Sequence, residues 1–400
     1  MTTTVFPESS ARRALMLVFF TIFLDILGFG ILVPVIPFLV RPFDASAMAV
    51  GLLTMSFSIA QFFASPVLGA LSDRHGRRPV LLISIFGAAV AYVAFGLATA
   101  LWVFFAARIV DGLTGGNIST AQAYIADVSA PENRSKNFGM IGAAFGAGFI
   151  IGPAIGGVVS HISYSAPAFL AGALCLLSCL FGYFILPESL PPERRTAAPF
   201  TWREMNPFGR LGYFLARPAL VANFTLLLMQ GLAMNILRSN FMVYARDKFG
   251  YNPSQVGYLY TYLGILVVLT QAVIVRRLAP KLGDRTTALI GFCVMLLGFA
   301  WMATSPGVWP IFGIMPLVAI GNGLVYPTVS AMSSHAVDGH EQGGVMGAQQ
   351  SMSSLTMITG PFVAGWSYDR IGTGAPYAIA AVCAAVGIIL AFRQRAKAKA

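Results

Sequence analysis

Apolar residues run through this chain in blocks of about twenty, each closed by a short cluster of charged or turn-forming residues; that length matches a helix crossing a bilayer. The blocks fall at 14–40, 48–72, 79–99, 101–126, 136–160, 165–187, 218–245, 253–275, 285–305, 308–332, 342–368 and 375–393. Lipid leaves no water to satisfy backbone polar groups, so each block is expected to be helical. The pattern predicts an all-α membrane protein with twelve transmembrane helices. Its longest polar connection, 188–217, contains the run PESLPPERR and reads as a cytoplasmic linker. That linker divides the chain into two six-helix bundles, 1–187 and 218–400. Arg12 and Arg13 precede the first block, which continues through Pro34 and Pro37 without a small-residue cleavage site. It is therefore read as a span and not as a signal peptide.

Charge sets the orientation. With the N-terminus inside, twenty of the twenty-six Lys and Arg fall in inner segments and four in outer loops, Arg41, Arg246, Lys248 and Arg370. The positive-inside rule then puts both termini in the cytoplasm. The remaining two, Arg108 and Arg238, lie inside predicted helices.

Composition agrees with a membrane solvent. The 400 residues are 57% hydrophobic and 10% charged, with a mean hydropathy of +0.75; about a quarter of an ordinary soluble domain is charged. The net charge of +11 alternates with apolar spans and forms no single basic patch, which argues against a nucleic-acid partner. Cys175, Cys179, Cys293 and Cys383 all sit in apolar blocks and read as packing residues, with no metal site or disulfide framework implied. No GxxxxGK[ST], HExxH or GxSxG run occurs, and His75, His161, His335 and His340 lie near loops. An ATP-driven pump and a membrane enzyme are both disfavoured.

The two halves are related. A shift of 205–211 residues brings Gly152-Pro153 onto Gly360-Pro361, Asp111-Gly112-Leu113 onto Asn322-Gly323-Leu324, and the turn at Gly76 onto Gly283. Such repeats place a substrate site near the membrane midplane. Charge is unequally shared: Asp25 meets Gln230, Asp111 meets Asn322 and Arg108 meets Ala319. Proton chemistry is expected in the first half and substrate selection in the second.

Four runs carry a resemblance. Gly69-Ala-Leu-Ser-Asp73-Arg74-His-Gly76-Arg77-Arg78 resembles the signature loop of the major facilitator superfamily. Arg108-Ile-Val-Asp111-Gly112 is similar to its arginine motif. Gly148-Phe-Ile-Ile-Gly152-Pro153-Ala-Ile-Gly156-Gly157 is similar to the antiporter motif. The opening Leu24–Pro37, with Asp25, resembles the drug:proton antiporter branch, including the tetracycline/proton exporters. The resemblance implies a proton-coupled exporter of a small amphiphilic drug or metabolite, working by alternating access as a multi-pass protein of the bacterial inner membrane. The alternative is a proton symporter or uniporter importing a nutrient. It also implies a conformational latch made by Gly69, Asp73, Arg74, Gly76, Arg77, Arg78, Asp127 and Arg134, holding the halves together near the start of segment 342–368. The expected partners are a small-molecule substrate, protons and lipid, with no cofactor; the protein is expected to be a monomer.

Depth points to the coupling residues. At 1.5 Å per residue Asp25 lies about 16 Å from the inner end of its helix, and Arg108 and Asp111 about 10 and 15 Å from the outer end of theirs. A bare charge there costs a few kcal/mol. Burial favours a neutral acid and a neighbouring cation favours the carboxylate, so Asp25 is read as exchanging a proton against Arg108, with Asp111 the competing site. Arg238 either snorkels outward or points into a cavity, where it would favour an anionic or zwitterionic substrate. Gln61, Asn117, Gln122, Gln230, Asn235, Tyr258, Tyr262, Asn322, Tyr326, Gln349 and Gln350 complete the candidate cavity lining.

Overall fold

The computed structural model describes residues 8–115, 117–129, 134–195, 217–305, 307, 311–337 and 342–397. Its helices are α1 (Glu8–Leu32), α2 (Ala47–His75), α3 (Arg77–Gly96), α4 (Leu101–Thr114), α5 (Asn117–Val128), α6 (Arg134–Val159) and α7 (Ala166–Ile185). They are followed by α8 (Pro218–Phe249), α9 (Pro253–Leu269), α10 (Arg276–Leu282), α11 (Asp284–Thr304), α12 (Ile311–His335), α13 (Gln342–Arg370) and α14 (Ala375–Lys397). A π-helical stretch, Thr270–Val275, joins α9 to α10, so the chain stays helical from Pro253 to Leu282. Among the described residues, 10 spans are long and apolar enough to cross a membrane.

Two predicted blocks differ from the observed helices, and a third is helical but more polar than the other spans. The block 14–40 ends as a long helix at Leu32, and a separate short helix occupies Ile36–Leu39 with proline in its first turn. Pro34 explains the interruption, because it lacks an N–H and disfavours helical geometry in the residue before it. The block 101–126 is met by two helices, α4 ending at Thr114 and α5 beginning at Asn117; the sequence between them holds two glycines, which weaken a helix. Gln61 Nε2 donates to the Gly115 carbonyl at 2.8 Å, satisfying one of the groups that a helix end leaves open. The third, 342–368, is a full-length helix, but Gln349, Gln350, Ser351, Ser353 and Ser354 interrupt its apolar surface, and it is not among the 10 spans.

The chain forms two compact units. The first contains Met1–Phe43, Ser56–Asn206 and Pro253–Thr261; the second contains Asp44–Met55, Pro207–Asn252 and Tyr262–Ala400. In the first, α1 and α6 meet along glycines. A Cβ on Gly152 would stand 2.8 Å from Gly30 Cα, one on Gly30 would stand 2.9 Å from the Gly148 carbonyl, and one on Gly156 would run into the Ile31 carbonyl. The four-residue spacing of Gly148, Gly152 and Gly156 puts all three on one face, which lets the backbones approach where lipid supplies no hydrophobic drive. Gly157, one residue on, faces elsewhere: Ser254 Oγ donates to its carbonyl at 2.5 Å, and Thr261 Oγ1 donates to the Ile150 carbonyl at 2.7 Å.

In the second unit α11 and α12 pack through Gly291 and Gly321, a Cβ on Gly321 falling 2.7 Å from the Gly291 carbonyl. The first turns of α2 lie on α13, where Gly51 abuts the Pro361 carbonyl. Asp369 Oδ2 accepts the Met48 N–H at 2.8 Å, a negative charge at a helix N-terminus.

This packing makes a paired test. Gly156→Ala is expected to lower the melting temperature of the purified protein, because overpacking costs about 1–3 kcal/mol. Gly142 has nothing within 4 Å of its added Cβ, so Gly142→Ala is expected to leave it unchanged or raise it slightly. Equal melting temperatures for the two variants would show that α1 and α6 are not held by close backbone approach.

Candidate functional site

Among the described residues of the first unit, the most deeply buried charges are Arg108 and Asp111, each 3% exposed. They lie one turn apart on α4, and Arg108 Nη2 stands 3.0 Å from Asp111 Oδ2. Gly112 allows α4 to come close to α2, since a Cβ there would meet the Phe57 carbonyl and Ala60. The approach brings the Phe57 ring to the guanidinium, with Phe95 and Tyr92 of α3 on other sides. The three centroids lie 5.4, 5.0 and 5.8 Å from the Arg108 carbon. Aromatic faces stabilise a desolvated cation, so the cage compensates for part of what burial removes. Arg108 Nε and Asp111 Oδ2 nevertheless form no hydrogen bond among the described residues. The pair is held by charge and ring contacts, with hydrogen-bonding capacity left over.

Asp25 stands on α1, half-buried. Gly28, on the next turn, lies against Tyr92 and Cys175; a Cβ there would stand 3.3 and 3.7 Å from them. Asp25 is close enough to act electrostatically on both, and Asp111 acts on the same two residues. Two carboxylates and one guanidinium thus share a single neighbourhood built on α1, α3, α4 and α7. With all three ionised the group carries one net negative charge, and one proton neutralises it. Arginine stays protonated, so any exchange of protons falls to the acids.

A second cluster sits at the α2–α3 turn, and Arg77 is its centre. Its Nη1 contacts Asp73 Oδ1 at 2.5 Å, its Nε contacts Asp127 Oδ2 at 3.1 Å, and Nη1 donates to Ser72 Oγ at 2.7 Å. Gly76 makes the turn with φ of 101°, a left-handed region that L side chains resist. Arg78 donates to the Tyr183 carbonyl and lies over the Tyr183 ring, its carbon 5.7 Å from the centroid. Arg74 Nη1 donates to the Ala70 carbonyl at 3.0 Å. Gly69 faces more open space, its nearest neighbour being Ser119 Oγ, 3.8 Å from an added Cβ. The side chain of Arg134 lies outside the described residues.

Sequence reasoning missed the residue that closes this turn. Glu188 accepts the Arg77 N–H at 2.8 Å, the Arg78 N–H at 3.2 Å and the Leu190 N–H at 3.0 Å. A carboxylate here caps the N-terminus of α3. Ser189 Oγ donates to Asp127 Oδ2 at 3.1 Å and Tyr124 OH donates to the Pro187 carbonyl at 2.8 Å. The start of the segment read as a linker is therefore bound to the signature loop. The available signal was an acid just past a helix end, in a chain with only 15 acids.

The cavity candidates divide by role. Gln230 Nε2 donates to Asn322 Oδ1 at 2.5 Å, so the amides that repeat-match Asp25 and Asp111 also meet each other. Asn235 Nδ2 donates to the Gly231 carbonyl at 2.9 Å and to Thr356 Oγ1 at 3.1 Å. Gln349 Oε1 accepts from Ser330 Oγ at 2.9 Å. Gln61 serves the α4–α5 break. Gln122, Arg238, Tyr258, Tyr326 and Gln350 are exposed and Tyr262 is half-buried; the Asn117 side chain lies outside the described residues. Of the antiporter run, Gly148, Gly152 and Gly156 face α1, while Pro153 and Gly157 meet Gly257 and Ser254.

The Major Facilitator Superfamily model matches residues 18–318 and 247–400. The chain is 35% identical over 356 residues to the class C tetracycline resistance protein of Escherichia coli, covering 88% of this chain and 89% of that one. It is 36% identical over 361 residues to the class G tetracycline resistance protein of Vibrio anguillarum, covering 88% and 89%. Among solved structures, a bacterial homologue of the human lysosomal transporter Spinster, inward-facing and occupied, superimposes with a TM-score of 0.77 at 14% identity over 97% of each chain. That last likeness is one of fold.

Removing the Glu188 cap tests the second cluster. Glu188→Ala is expected to lower stability by about 1–2 kcal/mol, read as a fall in melting temperature, with Glu188→Gln recovering part because its amide oxygen still accepts. No change in the alanine variant would mean the turn is held by Arg77 alone.

Proposed function

Since the chain belongs to the Major Facilitator Superfamily, we propose that it exports a small amphiphilic molecule across the bacterial inner membrane in exchange for protons. The reading includes twelve spans: the 10 apolar helices, the α4–α5 pair and α13. It places both termini in the cytoplasm and organises the chain as two six-helix halves, 1–187 and 218–400, with 188–217 between them. A single copy suffices, because each charged cluster described above is completed within one unit of one chain.

The observation that carries the coupling role is the buried Arg108–Asp111 pair with Asp25 beside the same residues. Breaking a buried pair by neutralising one partner is costly, so a change of protonation at either acid shifts how strongly α4 is held to its neighbours. Proton binding at Asp25 would bring the group to neutrality, and proton loss would restore a net negative charge. The cluster at Arg77, Asp73, Asp127 and Glu188 would act as the conformational latch of the inner end, and α6 as a packing face. Substrate would be selected by the uncharged amides and hydroxyls of the second unit.

Export is favoured over nutrient import by the relatives, which are named as resistance proteins; tetracycline is accordingly the first probe to assay. Inverted membrane vesicles energised by respiration are expected to accumulate tetracycline, and its addition to alkalinise their lumen. Asp25→Asn is expected to abolish gradient-driven accumulation while purified protein still binds tetracycline, and Asp111→Asn to retain a pH-dependent exchange. Full accumulation by Asp25→Asn would remove that residue from the coupling role. Loss of coupling in Asp111→Asn alone would transfer the role to Asp111.

A further inference from the structure

Among the described residues, six buried side-chain nitrogen or oxygen atoms have no hydrogen-bond partner: Arg78 Nε, Ser84 Oγ, Arg108 Nε, Asp111 Oδ2, Thr120 Oγ1 and Ser178 Oγ. All six lie in the first unit. A hydroxyl inside a helix commonly donates to the carbonyl one turn back, as Ser65, Ser239 and Ser333 do here. Ser84, Thr120 and Ser178 do not, although they are only 1%, 0% and 4% exposed. Each stands seven or eight residues from the inner end of its helix, α3, α5 or α7. A hydroxyl shut away from water without a partner is costly, so three in one layer need an explanation.

Register brings two of them to the same level. Helices α3 and α5 pack together, and Arg77 Nε meets Asp127 Oδ2 at 3.1 Å near their inner ends. Seven residues outward along α3 stands Ser84, and seven residues back along α5 stands Thr120. Seven residues are close to two turns, about 10 Å, so Ser84 keeps the face of Arg77 and Thr120 the face of Asp127. Between the two levels Leu81 shares an apolar cluster with Ala121, Tyr124 and Ile125. Ala88, Ala91 and Phe95 continue the Ser84 face outward at four- and three-residue spacing. The Phe95 centroid lies 5.0 Å from the Arg108 carbon, so this face leads from the Arg77 network to the buried ion pair. On α7, Ser178 lies one turn inward of Cys175, which packs against Gly28 near Asp25.

The geometry points to a water-bearing proton path along the α3–α5 seam, in which Ser84 and Thr120 hold water between the Asp25, Arg108 and Asp111 cluster and the inner end. This inference rests on the antiport reading above. An internal water needs two or more polar partners, and hydroxyls on two packed helices supply them where the adjoining residues are apolar. A hydroxyl accepts a proton on its oxygen from one neighbour and gives up its own to the next, so it ends unchanged. The proton that leaves a carboxyl of the cluster is delivered to water at the inner end, where Arg77, Asp73 and Asp127 meet.

Two measurements test the path. Ser84→Ala combined with Thr120→Val removes both hydroxyls with little change of shape, and is expected not to lower the melting temperature. The initial rate of pH-gradient-driven tetracycline accumulation in inverted vesicles is expected to fall about tenfold, equal to about 1.4 kcal/mol on the barrier to proton passage. Exchange of labelled for unlabelled tetracycline without a gradient moves no net proton and is expected to keep the wild-type rate. Thr120→Ser retains the hydroxyl and is expected to match the wild type in both assays. A full driven rate in the double variant overturns the path. So does an equal loss of driven transport and exchange, which marks a packing role. Radiolytic hydroxyl-radical labelling of the wild type reads the water itself. Tyr124, one turn from Thr120, and Tyr244 of the second unit are both 0% exposed, and Tyr124 is expected to be oxidised several times faster. Equal labelling overturns the inference even if the double variant does not fold. Wild-type protein that neither accumulates nor exchanges tetracycline counts against export itself, and the labelling comparison then still decides the water path.

Discussion

A guanidinium surrounded by hydrocarbon must find its compensation in the protein, and at Arg108 that requirement shapes the first unit. Asp111 supplies the opposite charge from the same helix at 3.0 Å, and three rings from α2 and α3 supply the remaining faces. For those rings to arrive, α4 must approach α2 closely, which Gly112 permits, and α3 must present Tyr92 and Phe95 inward. Asp25 then comes to the same place on α1, which is itself pressed to α6 along Gly30, Gly148, Gly152 and Gly156. A pair that is buried but not fully hydrogen-bonded responds strongly to the addition of one proton, because removing a charge from a low-dielectric site changes the balance by more than it would in water.

At the α2–α3 turn the constraint is different. Gly76 turns the chain in a conformation that only glycine adopts readily, and the N-terminus of α3 that follows has open N–H groups. Glu188 fills them, Arg77 ties the turn to Asp73 and Asp127, and Ser189 joins Asp127 from the same segment as Glu188. The end of α7 is thereby fixed to the end of α2. This shared network is the one assigned above to the proposed latch.

Much of this was legible in the residue order, and the exceptions have physical causes. Arg108 and Asp111 are three residues apart, so a helix places them on one face without any knowledge of the fold. The four-residue spacing of Gly148, Gly152 and Gly156 announces a packing face in the same way, but not that α1 is its partner, because nothing local encodes which helix fits. The ring cage was hidden for that reason: Phe57, Tyr92 and Phe95 come from two other helices and look like ordinary apolar residues. Glu188 was obscured by its setting, since proline and charge together resemble a solvated linker. The block at 101–126 was read as one helix because hydropathy is continuous across Gly115-Gly116, whereas backbone preference is not.

The second unit is legible mainly by contrast. Where the first has acids, it has Gln230 and Asn322, which hydrogen-bond to each other. The proposed exchange assigns the proton to the first unit and the substrate to the second. The central proposal is that the Asp25, Arg108 and Asp111 cluster carries the proton exchanged for substrate. Proton release on substrate binding tests it most directly, measured with a pH indicator on purified protein in weak buffer as tetracycline is added. The account predicts release from the wild type and none from Asp25→Asn. Release as large as the wild type's from both Asp25→Asn and Asp111→Asn would contradict it, because the proton would then come from outside the cluster.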